Sequence, residues 1–156
     1  MITALLIVTA LVAFITMEGV AWFTHKYIMH GFLWRLHKDH HKPASKRSGF
    51  LEKNDWFFVI FAFPAMVLYI MGSIFANPYL FAFAIGISLY GMAYFVFHEV
   101  VFHRRLKWFR KWKSNYVQAV RRAHAAHHKH IDRHHGECFG LLLFPAKYFT
   151  AENKPT

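Results

Sequence analysis

All nineteen Lys and Arg residues of this chain fall in two blocks, 26–53 and 104–154, and residues 1–25 and 54–103 contain none. Chain that long without a cation is expensive to keep in water but costs nothing in hydrocarbon. Ile2 to Thr24 would run about 35 Å as a helix, Trp56 to Phe75 about 30 Å, and Tyr79 to Phe97 slightly less, against a bilayer core of about 30 Å. The chain is 56% hydrophobic and has 18 Phe in 156 residues, more than a soluble domain of that size readily buries. Ala76-Asn77-Pro78 reads as a tight turn, because Asn and Pro favour turns and the residue before Pro resists the helical region. The expected fold is a single all-α integral membrane domain over 1–156. It has three to four transmembrane helices and a cytoplasmic, histidine-rich helical cap formed by 25–53 and 98–156. Cys138 to Phe149 is apolar but too short to span, and is expected to lie in the interface, to cap the site, or to re-enter as a partial fourth element. The run from Met1 resembles a signal-peptide core but lacks a preceding basic residue and continues to Phe23, so an uncleaved anchor is expected.

Basic residues stay on the cytoplasmic side of membranes, so both blocks are expected there, in a bacterial inner membrane. The net charge of +11 therefore reports topology, and nucleic acid is not an expected partner. Between Arg104 and Lys113, Trp alternates with Lys and Arg as in interfacial anchors, which makes membrane lipids with anionic headgroups the expected partner. Cys138 is the single cysteine, so no intramolecular disulfide forms.

Ten of the thirteen histidines repeat one pattern. His25, His30, His37, His40 and His41 read H-x4-H then H-x2-H-H, and so do His98, His103, His124, His127 and His128. Each set begins where an apolar run ends. Neutral imidazole is the commonest transition-metal ligand, and two such sets at the mouths of spans point to a binuclear metal centre. A helix advances about 100° per residue, so His37, His40 and His41 lie along one face, as do His124, His127 and His128. The H-x4-H pairs stand about 140° apart on a regular helix, which requires either a local adjustment of the helix, such as a π-bulge, or two imidazoles reaching different metals. A structural zinc site takes four ligands, so ten imidazoles suit two ions with open positions for oxygen chemistry. Metal occupancy is expected to fall as pH drops below about 6.5, where imidazole takes up a proton.

Carboxylates near the pattern are candidates to orient the imidazoles: Asp39 inside the first trio, Glu99 beside His98, Asp132 after the second trio, and Glu18, two turns before His25. The plain alternative for Glu18 is a side chain reaching water or a lysine. His130, His134 and His135 fall outside the repeat and are expected to be solvated. Phe95, Val96, Phe97, Trp22, Phe23, Gly86 and Gly91 are candidates for an apolar groove leading to the metals, although glycine in membrane helices more often serves close helix contact.

The four histidine boxes resemble those of the bacterial beta-carotene 3-hydroxylases, within the membrane fatty acid hydroxylase and sterol desaturase superfamily. The likeness extends to Met29-His30-Gly31, to Phe50-Leu51-Glu52-Lys53-Asn54-Asp55 and to Phe139-Gly140-Leu141. It implies a non-haem di-iron centre held by the ten histidines, molecular oxygen as co-substrate, and electrons from an external ferredoxin-type or other donor. Zinc can replace iron in a purified sample. The implied reaction places a hydroxyl at C3 of each beta-ionone ring of a lipid-soluble carotenoid, taking beta-carotene through beta-cryptoxanthin to zeaxanthin. No Rossmann glycine fingerprint is present, in keeping with an outside electron source. Competing readings are a hydroxylase or desaturase of a sterol or fatty acyl lipid and, from another class, a histidine-rich membrane metal transporter or binding protein. Oligomeric state leaves no signal in the sequence.

Overall fold

The computed structural model of the chain describes residues 1–42, 51–109, 111–130 and 133–150. Helix α1 (Ile2–Phe23) continues into a π-helical segment (Thr24–Phe32), followed by the short α2 (Trp34–His37). A 3₁₀ turn (Lys53–Asp55) leads into α3 (Trp56–Ile74), and α4 (Pro78–Tyr94) runs into a second π-helical segment (Phe95–Phe102). Helices α5 (Asn115–Lys129) and α6 (Lys147–Thr150) complete the described chain. Among the described residues, three helices are long and apolar enough to cross a membrane: Ile2–Phe32, kinked at Gly31, Lys53–Ile74 and Pro78–Phe102. Residues 138–149 do not form a fourth: they hold an irregular strap and part of α6, a helix of four residues packed on α5 through Tyr148, Ala119 and Ala123.

Helix α4 is the centre of the bundle, with α1 on one side and α3 on the other. Small residues set the closeness of the first contact. A Cβ on Gly86 would stand 2.6 Å from the Ala13 Cβ and would collide with the Ala10 carbonyl oxygen, so only glycine lets the two backbones meet here. Because Ala13 lies against Gly86 while Glu18 meets Tyr90 further along, α1 and α4 run parallel. That direction brings the ends of both helices, His25 and His98, to one end of the bundle. Away from this contact the spans are apolar and outward-facing, with Val8, Leu11, Ile15, Val59 and Phe63 all more than half exposed, as a hydrocarbon solvent allows.

The turn between the second and third spans forms as expected. Pro78 occupies the first helical position of α4, and the Asn77 side chain accepts the Tyr79 N–H at 3.0 Å. At the start of α3 the capping residue is Asp55, but its side chain caps no α3 amide and turns back to the preceding 3₁₀ turn instead. Glu52 is the capping residue of the 3₁₀ turn, and its backbone N–H donates back to Asp55 Oδ2 at 3.0 Å in a reciprocal box. Asn54 is thereby left to serve the histidines.

Candidate metal centre

Each H-x4-H pair sits on a π-helical segment, which settles the 140° mismatch. An i→i+5 hydrogen bond stacks residue i+5 over residue i, and the closing bond of the second segment is the His103 N–H donating to the His98 carbonyl at 3.0 Å. The pairs therefore face one way, with ring centroids 4.8 Å apart for His98 and His103 and 5.2 Å for His25 and His30.

The structure gathers the imidazoles into two clusters, but not one from each half of the sequence. His25, His30, His37, His41 and His127 form the first, and His40, His98, His103 and His124 form the second. Each half thus lends one histidine to the other, and in both trios it is the third-neighbour residue that crosses. In the helical α5, His128 follows His127 by about 100° while His124 and His128 are only about 40° apart. His127 accordingly faces the first cluster alone. In the first trio α2 ends at His37 and the chain turns over 38–41, leaving His37 and His41 together and sending His40 across. His128 stands between the clusters, its ring 4.7 Å from that of His41 and 4.5 Å from that of His124.

The protonation pattern follows from the acceptors. His25, His41 and His127 donate Nδ1–H to the backbone carbonyls of Phe139, His130 and Glu137 at 2.9, 3.0 and 2.8 Å. A carbonyl only accepts, so these three carry their proton on Nδ1 and expose a bare lone pair at Nε2. His37 bonds Asn54 Oδ1 at 2.7 Å, His40 bonds Glu52 Oε2 at 2.8 Å, and His98 bonds Glu99 Oε1 at 2.6 Å through the same nitrogen. The Nε2 atoms then face one another: His25 to His37 at 3.1 Å, His41 to His37 at 3.1 Å, His30 to His127 at 3.3 Å, His40 to His98 at 3.1 Å and His103 to His124 at 2.9 Å. Two lone pairs at such separations repel unless a cation lies between them. Ligands at right angles around an ion with bonds of about 2.1 Å stand about 3.0 Å apart, so the donor atoms fit a metal in each cluster. His128 Nε2 is sealed from solvent with no hydrogen-bond partner among the described residues, as befits a donor reserved for an ion.

The groups that orient the imidazoles are only partly those the sequence singled out. Glu99 does hold His98. Asp39 bonds the backbone N–H of Lys53 at 3.0 Å, tying the first trio to the start of α3 and touching no ring. Glu18 is also turned away from the imidazoles. Its Oε1 accepts the N–H groups of Leu141, Leu142 and Leu143 at 3.0, 2.9 and 2.9 Å, and its Oε2 accepts the Tyr90 hydroxyl at 2.7 Å. The bent backbone at Leu141 and Leu142 turns three consecutive amides onto one carboxylate oxygen, leaving it no need of an imidazole. Asp132 lies outside the described residues. His134 and His135 are exposed, whereas His130 contributes through its backbone carbonyl. The residues the sequence reading missed are Glu52, Asn54 and Arg105. Arg105 bonds Asp55 at 2.8 and 3.1 Å, pairs with Glu99 at 2.9 Å, and reaches Glu52 at 3.5 Å, so one guanidinium locks the carboxylates behind His40 and His98. An acidic trio, Glu52, Asp55 and Glu99, in a chain of net charge +11 was the available signal.

A cavity of about 690 Å³ lies between α3 and α4, lined almost wholly by apolar side chains. It shares Ala21, Phe61 and Tyr94 with a small pocket that reaches His25, His98 and His124. The Tyr94 ring stacks on His98 at 4.7 Å, standing where cavity and histidines meet. Of the groove candidates, Gly91, Phe95 and Val96 line the cavity. Gly86 instead faces α1, Phe97 packs against Phe102 and Trp112, and Trp22 and Phe23 are exposed.

Burial sets the acid–base behaviour of the cap. It pushes His41 down to about 4, helped by the nearby His30, and His127 down to about 3, helped by His41. His37, His40 and His124 are likewise held well below the ordinary imidazole value, chiefly by burial. Burial thus works against protonation of these five rings. An unfolded chain still takes up protons near 6.5 while the folded metal-free chain does not, so it is the unfolded state that gains as pH falls. Stability is full above about 6.5 and is lost towards 4 and 3, by up to about 1.4 kcal/mol per pH unit for each such histidine. The thermal midpoint of the metal-free protein in detergent should fall steadily from pH 7 to pH 5; a flat midpoint would contradict this.

All-helical architecture with membrane-length helices whose shared end gathers histidines at ligand spacing defines the class: a membrane protein with histidine clusters that could hold metal beside an apolar cavity. Residues 10–146 match the fatty acid hydroxylase family, and the chain belongs to that family. It is 35% identical over 144 residues to a beta-carotene hydroxylase of Pseudescherichia vulneris, covering 91% of this chain and 77% of that one. It is 38% identical over 144 residues to a beta-carotene hydroxylase of a Paracoccus species, covering 92% and 85%. A chloroplastic beta-carotene 3-hydroxylase of an Oncidium hybrid is 38% identical over 130 residues, 81% of this chain and 41% of the plant protein. No solved structure matches the chain.

Proposed function

We propose that this chain is a carotenoid ring hydroxylase acting through two iron ions, with its histidine end on the cytoplasmic side of a bacterial inner membrane. The observation that carries the metal centre is the set of facing Nε2 atoms 2.9–3.3 Å apart, with six of the rings held by Nδ1 acceptors behind them. His25, His30, His37, His41 and His127 would hold one ion; His40, His98, His103 and His124 would hold the other, with His128 between them. When bound, a redox-active pair would supply the reductive activation of O₂ that attack on an unactivated ring C–H bond demands. Electrons would come from a separate ferredoxin-type or other donor.

The protein's own part is to bind, orient and exclude water. The cavity between α3 and α4 would take an apolar substrate directly from the bilayer, and Phe61, Ala21 and Tyr94 would define the opening that admits its ring to the histidine end. Nδ1 acceptors hold His25, His37, His40, His41, His98 and His127 in the tautomer that presents Nε2. Within α1, α3 and α4 the one charged side chain is Glu18, which speaks against a metal carrier needing a polar path across the spans. The whole chain would work as one membrane-embedded unit.

Cells that accumulate beta-carotene provide the test. Producing the chain in them should convert pigment to zeaxanthin with some beta-cryptoxanthin. Unchanged pigment, with the protein folded, iron-loaded and supplied with reductant, would contradict the carotenoid reading. Hydroxylated fatty acids in its place would move the substrate to acyl lipids.

A further inference from the structure

The most heavily bonded carboxyl group in the membrane-spanning part of the chain touches no histidine. Glu18 is 7% exposed, deep in α1, and its four hydrogen bonds all serve other ends: three to the consecutive amides of Leu141, Leu142 and Leu143, one from Tyr90. A carboxylate at that depth is costly unless fully satisfied. The strap is shaped to satisfy it, since a Cβ at Gly140 would lie only 2.8 Å from Glu18 Oε1. Tyr116 adds a bond to the Leu142 carbonyl at 2.7 Å.

The same strap carries two of the acceptors that orient the first cluster. Phe139 O takes the Nδ1–H of His25, and Glu137 O takes that of His127. The Phe139 ring also packs edge-on against His25, His30 and His127 at 5.5, 5.2 and 5.3 Å. The second cluster relies on a different frame, with His40 on Glu52 and His98 on Glu99. Glu18 is thus joined to one cluster through the strap, whereas Arg105 and its carboxylates frame the other.

We propose that Glu18 is a positioning residue for the first histidine cluster alone, acting through residues 137–143. The proposal rests on the two-site reading above. Orienting groups behind metal ligands typically affect affinity about tenfold to a hundredfold, and here the loss should be confined to one of two ions.

The test is titration of the metal-free full chain in detergent with cobalt(II), followed by ligand-field absorption and by bound metal per chain. The wild type should take up two ions. Glu18→Ala should bind one as the wild type does and the other about tenfold to a hundredfold more weakly. Glu18→Gln keeps an oxygen for the three amides and should recover most of that loss. Wild-type titration curves in the alanine variant would overturn the proposal, as would equal weakening of both ions. Should the alanine variant fail to fold, Glu18→Asp decides, because its shorter carboxylate cannot hold all three amides in place: selective weakening of one ion supports the role, and an unchanged titration removes it. Uptake of fewer than two ions by the wild type would instead overturn the two-site reading, and Glu18's role with it, before any variant is compared.

Discussion

His127→Ala should lower carotenoid hydroxylation by about a hundredfold or more while the protein still inserts and folds, because removing a ligand costs at least as much as removing a group behind one. His40→Ala should do the same. What separates this structure from a half-by-half arrangement is the behaviour of pairs. His25 and His127 share a cluster although they come from different halves, whereas His98 and His127 come from one half and do not. The double variant His25→Ala/His127→Ala should therefore lose one ion and keep the other at wild-type affinity. His98→Ala/His127→Ala should weaken both. The reverse outcome, with the second pair damaging a single site, would mean that each sequence half cages its own metal. Metal titration of the four purified variants decides this.

Replacing Arg105 should have the largest effect on stability of any substitution outside the histidines. Its guanidinium is the shared cation for Glu52, Asp55 and Glu99, of which Glu99 is 2% exposed. Arg105→Ala leaves that carboxylate buried without its cation, a loss of about 3–5 kcal/mol for a broken buried pair. At this size the thermal midpoint should drop by about 10 °C or more. Glu52 and Glu99 would also be freed to swing from His40 and His98, so metal at the second cluster should weaken about tenfold to a hundredfold. Arg105→Lys should rescue only part, since one ammonium cannot span three carboxylates as the fork does. Arg104→Ala, at an exposed neighbour, should change the midpoint by no more than about 1 °C. A midpoint in Arg105→Ala that matches wild type would show that the network is ornamental.

Charge segregation made the three spans legible, because a cation-free run of twenty residues has few other homes. The Asn77-Pro78 turn followed from local backbone preference. The H-x4-H spacing pointed to a local change of helix type: five residues is the hydrogen-bond span of a π-helix, and both pairs lie on such a segment or at its end. The crossing of His40 and His127 was not legible, since an angular offset on a helix does not say which neighbour it faces. Nor could sequence reveal Phe139, His130 and Glu137 as orienting groups, because they act through carbonyl oxygens that every residue possesses. Glu18 was recognised as unusual from its depth alone. Its partner was misjudged, because three amides brought from more than a hundred residues away occupy the oxygen a nearby imidazole would need.

The most direct measurement is anomalous scattering at the iron edge from crystals of the purified, iron-loaded chain. Two peaks are expected, one among the Nε2 atoms of His25, His30, His37, His41 and His127 and one among those of His40, His98, His103 and His124. A single peak, or metal bound away from these nitrogens, would contradict the two-cluster centre.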